Sequence, residues 1–134
     1  MRIMFDSNVI FSALAYPESN ISKMVEYIKQ NHSIILSQYI INETERTIFK
    51  KRNEYYEYFK LQLDLFSDEI VNSTEINISK YPQIRDVDDI PILASAIIAD
   101  IDILITGDTD FDDVVVDKPR IMKPRQFQDE YMNV

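Results

Sequence analysis

The feature that most limits the fold of this chain is a set of short apolar runs recurring between helix-like stretches. RIMF (2–5), SIILS (33–37), EIVNST (69–74), DILIT (102–106) and RIMK (120–123) each have the length of one brief strand. Their apolar residues are consecutive rather than alternating with polar ones. Strands of that kind, separated by helices, belong to a parallel sheet covered on both faces. The separating segments read as helices. VIFSALAY begins one that Pro17 breaks, and Ile21, Met24, Val25 and Ile28 follow at helical spacing with Ser19 or Asn20 as the cap. Further helices are expected over 38–51, over the Tyr-rich 54–66 and over PRQFQDEYM at 124–132. RDVDDIPILASAIIAD is the clearest of them. Ile90, Leu93, Ala94, Ile97 and Ile98 are expected on its apolar face, and Pro91 is tolerable in a first turn.

A length of 134 residues suits one domain, residues 1–134, with a single core. No cysteine is present, which leaves no disulfide framework and no thiolate zinc site and is consistent with a reducing cytoplasm. Asp6 and Asn8 interrupt the first apolar stretch before a signal peptide could form, and no run approaches the roughly 20 residues of a membrane span. A soluble, cytoplasmic protein is expected. The net charge of -9 argues against holding nucleic acid by general attraction. It leaves open an enzyme acting on nucleic acid through a metal, because a bound cation inverts the local sign.

The acids are distributed in a telling way. Asp6 ends the first strand, where an uncompensated carboxylate is costly to bury. Asp108 and Asp110 follow the fourth strand in TGDTD; Asp86, Asp88 and Asp89 open the helix before it; Glu43 and Glu45 lie on the helix after the second strand. Parallel topology brings these segments to one edge of the sheet, and ligand crevices lie outside the carboxyl ends of such strands. Singly, Asp88 and Asp89 read as helix caps, Asp108 and Asp110 as turn formers, and Glu43 and Glu45 as surface residues that helical periodicity does not separate. Together they are a cluster of hard oxygen donors of the kind that suits Mg²⁺ or Mn²⁺. Such a site polarises a phosphoryl oxygen and activates water, which makes phosphodiester hydrolysis the natural chemistry. Gly107, the only glycine, either lets the chain turn sharply beside a ligand or is an ordinary turn residue, and Thr106 at the strand end can hydrogen-bond an acid, although such a threonine more often satisfies local backbone.

With DSN after a short apolar strand, SQYIINE, DVDDIPILASAI and ILITGDTDF in that order across nearly the whole chain, the sequence resembles the PIN-domain family. The resemblance implies an α/β/α sandwich around a parallel sheet of about five strands and a Mg²⁺- or Mn²⁺-dependent ribonuclease site. Carried over residue by residue, Asp6, Glu43, Asp89 and Asp108 form the acidic quartet, Asp110 assists, and Ser7 or Asn8 orients the first acid; Asp86 and Asp88 fall back to capping. Small members of the family also imply a VapC-type toxin, an antitoxin partner and a homodimer. RNA contact in so acidic a chain must be local. Arg46, Lys50, Lys51 and Arg52, followed by NEYYEYF, offer cations and stacking rings, although basic residues at a helix end and tyrosines at helical spacing are more often structural. The alternatives are a catalytically silent module with the same fold and a phosphoacceptor receiver-like domain. The latter needs an aspartate ending the third strand, and EIVNST supplies none.

Overall fold

The protein is described from a computed structural model over residues 1–72, 90–114 and 116–132. Its strands are β1 (Arg2–Phe5), β2 (Ser33–Ser37), β3 (Glu69–Val71), β4 (Ile103–Ile105) and β5 (Arg120–Met122). Among the described residues the helices are α1 (Ser7–Ala15), α2 (Asn20–Asn31), α3 (Gln38–Lys51), α4 (Tyr56–Phe66), α5 (Ile90–Ile98) and α6 (Pro124–Tyr131). The strands form one parallel sheet in the order β3-β2-β1-β4-β5, flanked by the helices as a three-layer α/β/α sandwich. Consecutive burial in the central strands confirms that both faces are covered. Ile3, Met4 and Phe5 are buried, as are Ile34, Ile35 and Leu36, and Ile103, Leu104 and Ile105. The edge strands β3 and β5 are shorter in buried residues, as their position requires.

Local chemistry sets where the helices begin. Ser19 caps α2 by accepting from the Ser22 amide at 3.1 Å, and buried Ser37 caps α3 by accepting from the Ile40 amide at 3.0 Å. The helix over 54–66 is split in the structure: a 3₁₀ turn at Asn53–Tyr55 precedes α4. One expectation about α5 is corrected. Ile92, Leu93, Ala96 and Ala99 face the core, whereas Ile97 and Ile98 are 40% and 62% exposed. The segment is apolar nearly all round, so its composition alone did not orient it, and the face that carries the alanines lies inward.

The strand order reverses at β1, which has β2 on one side and β4 on the other. At such a switch point the connections leave in opposite directions and open a crevice beyond the strand ends. Asp6 and Thr106 are the first residues past β1 and β4. The topology therefore sets them side by side.

Candidate active site at the carboxyl edge of the sheet

Asp6 is the centre of this edge. It is 3% exposed, its amide donates to the Ile105 carbonyl at 3.0 Å, and its side chain caps α1 by accepting from the Ser7 amide at 2.6 Å. The other carboxylate oxygen accepts from the Thr106 hydroxyl at 2.7 Å. The Thr106 hydroxyl accepts in turn from the Asp108 amide at 3.0 Å, so one buried side chain ties the ends of β1 and β4 together. Asp108 caps a 3₁₀ turn at Thr109–Phe111 by accepting from the Asp110 amide at 2.8 Å. The ordinary role of each aspartate, as cap and turn former, is real. It also fixes where the carboxylates point.

Glu43 reaches the same place from α3. The Ser7 hydroxyl donates to Glu43 Oε1, and Asp6 Oδ1 lies 3.4 Å from that hydroxyl. A hydroxyl has one proton, so Ser7 bonds Glu43 and stands beside Asp6. Asn8, the alternative orienting residue, is exposed and makes no hydrogen bond to Asp6. Glu45 faces elsewhere and accepts from the Tyr56 hydroxyl at 2.5 Å. The structure thus separates the two glutamates that periodicity left together.

Burial pushes the Asp6 carboxyl above its ordinary value. The bonds from Thr106 and Ser7 oppose this, and the negative charges of Glu43 and Asp108 reinforce it. Among the described residues no lysine or arginine pairs with Asp6, Glu43 or Asp108. A buried carboxylate pressed by two others, with only hydroxyl and amide donors around it, is the donor chemistry of a hard divalent cation. Among the described residues no three acidic or histidine side chains lie together closely enough to hold an ion by themselves. Asp89, the remaining acid of the quartet, lies outside the described residues, as do Asp86 and Asp88.

One other expectation changes. Gly107 is exposed, has no positive φ, and an added Cβ would meet nothing within 4 Å. Its own backbone therefore does not require glycine, and open space lies above it. Arg46, Lys50 and Lys51 follow Glu43 along α3, and Arg52 is the C-cap of that helix. Arg52 lies nine residues beyond Glu43, roughly 13 Å along the helix axis. Its guanidinium packs over the rings of Tyr16, at the far end of α1, and Tyr55, and pairs with Glu54 at 3.1 Å. The feature not anticipated is a cleft of about 590 Å³ whose lining includes Thr106, Asp108, Asp112, Lys123 and Gln126. RIMKP carried that signal, because a lysine directly after the last strand must stand on the same edge as Asp6.

The sequence matches the family model of the PIN domain over residues 2–110. The chain belongs to the PIN-domain family, whose members are generally nucleases. No curated protein matches it. Among solved structures it is similar to a chain in the crystal structure of VapBC2 from Rickettsia felis bound to a DNA fragment from their promoter. The TM-score is 0.65 at 19% identity, over 91% of this chain and 97% of that one, a likeness that shows the fold. No helix among the described residues is long and apolar enough to cross a membrane.

Proposed function

We propose that this protein is a Mg²⁺- or Mn²⁺-dependent endoribonuclease. The observation that carries the proposal is the buried Asp6 carboxylate, pressed by Glu43 and Asp108 and given no cation by the described residues. Asp6, Glu43 and Asp108 are the metal-holding acids; family resemblance supplies Asp89 as the fourth and Asp110 as a helper. When bound, the ion supplies Lewis-acid polarisation of the phosphoryl oxygen and lowers the pKa of water. The chain's own residues prepare that chemistry. Thr106 and the Ser7 amide hold the two Asp6 oxygens, and Ser7 holds Glu43 in the adjoining position. Asp108 is kept close by its own capped turn.

The biological reading is the toxin of a toxin–antitoxin pair, acting in the cytoplasm as a homodimer and restrained by an antitoxin. The VapBC2 likeness supports it. A silent module with this fold is the second reading, and a direct test separates the two. Purified protein should cleave RNA with Mg²⁺ or Mn²⁺ and stop when excess chelator is added. Cleavage persisting in chelator would sink the metal mechanism, and no specific Mn²⁺ binding in a titration would favour the silent module.

A further inference from the structure

We propose that Lys123 is a positioning residue that holds an RNA phosphate next to the one under attack. The inference rests on the ribonuclease reading and adds the path of the substrate to it. A chain of net charge -9 repels a polyanion, and the acids of the site add to that repulsion. A phosphodiester backbone therefore needs a cation along its way in. Several basic side chains of the described residues are held by acids, among them Arg120, which lines the same cleft as Lys123. Arg2 pairs with Glu69 at 2.7 Å, Lys118 with Asp100 at 2.9 Å, and Arg120 with Glu130. Arg52 is held by Glu54 and two rings on the side remote from Asp6.

Lys123 differs in position. It is the first residue after β5, and β5 is bonded to β4 through the register pair Ile105 and Met122. The Thr106 amide donates to the Met122 carbonyl at 3.0 Å, which fixes the start of the Lys123 segment against the residue that holds Asp6. The Lys123 backbone is itself anchored, its amide donating to Gln126 Oε1 at 2.8 Å. Its side chain is 45% exposed, and Nζ stands 3.4 Å from Asp112 Oδ1. That is a loose tether which keeps the ammonium in the cleft without enclosing it. Asp108 and Lys123 line the same cleft, together with Asp112 and Asp117, so a backbone entering beside Asp108 comes within reach of the lysine. A compact ammonium with three donors suits a phosphate approached from varying directions. Nothing in this contact reads a base, so Lys123 gives hold and register and leaves sequence choice to other groups.

The test compares wild type, Lys123→Met and Lys123→Arg on a fluorescent pool of random-sequence single-stranded oligoribonucleotides with Mn²⁺. Dissociation constants are measured at several salt concentrations, and single-turnover cleavage is measured at saturating protein. Loss of one phosphate contact lowers the salt slope by about 0.7, which amounts to about a fivefold weaker affinity at 0.1 M salt. Lys123→Met should show both changes with the saturated cleavage rate preserved, and Lys123→Arg should restore affinity and slope. Wild-type affinity and slope in Lys123→Met overturn the proposal while the ribonuclease reading stands. So does a fall in the saturated rate with an unchanged slope, which is what a structural role alone would give. A wild type that neither binds nor cleaves the pool, nor total cellular RNA, overturns the ribonuclease reading and the proposal with it.

Discussion

Thr106 concentrates the most consequence in the fewest atoms. Its hydroxyl donates to Asp6 and accepts from the Asp108 amide, all within a 1% exposed side chain. Thr106→Val keeps the shape and leaves a buried carboxylate and a backbone amide each short of a partner. Denaturant melts should show a loss of about 1–3 kcal/mol, and Thr106→Ser should recover most of it. Asp6 invites the opposite expectation. Because its carboxyl lies above its ordinary value in the folded state, the folded protein binds its proton more readily than the unfolded chain does. The charged form therefore destabilises the metal-free fold at neutral pH. That cost shrinks as pH falls through the raised value and is gone below the ordinary one of 3.8. Asp6→Asn should raise the metal-free melting temperature modestly at pH 7, and the gap should close toward acid pH. A mutant less stable than wild type at pH 7 would mean that the Thr106 and Ser7 bonds outweigh the burial.

At the scale of elements, α3 decides which glutamate matters. Residues two apart on a helix point about 200° away from each other, so only one of Glu43 and Glu45 can face α1. It is Glu43, bonded to Ser7, whereas Glu45 bonds Tyr56. Glu43→Gln should reduce RNA cleavage on the order of 100-fold, and Glu45→Gln should leave the rate within a few fold, measured under identical Mn²⁺. This choice was not legible in the sequence, because α3 has apolar residues on enough sides to accept either register. The strands were legible, since five short runs with consecutive apolar residues admit little besides a parallel sheet. So was the convergence of Asp6 and Asp108, which follows from topology alone. What escaped was side-chain direction: Ile97 and Ile98 turned outward on a helix apolar nearly all round, and Gly107 proved free of steric demand. The Lys123 cleft escaped for another reason, because lysine after a strand is common and only the neighbouring Asp108 gives it meaning.

For the molecule as a whole, the metal and the fold should be thermodynamically linked. An ion that binds the native state alone adds about 2.7 kcal/mol at a hundredfold excess over its dissociation constant. Thermal melts with and without Mn²⁺ should show a clear rise for wild type and a much smaller one for Asp6→Asn and Asp108→Asn. An equal rise in all three proteins would place the ion elsewhere. The Asp6 contribution to this linkage destabilises the metal-free protein where that carboxylate is ionised, and adding Mn²⁺ should offset it.

The bond from Thr106 to Asp6 spans 100 positions of the chain. While the protein is being synthesised, β1 emerges first and can pair with β2 long before β4 exists. Through that interval the first acid has neither its hydroxyl partner nor the neighbouring Asp108. Contacts of such sequence separation form late, because the loop between them must be closed before it is rewarded. The acidic cluster of a nascent chain is therefore incomplete until the fourth strand has left the ribosome.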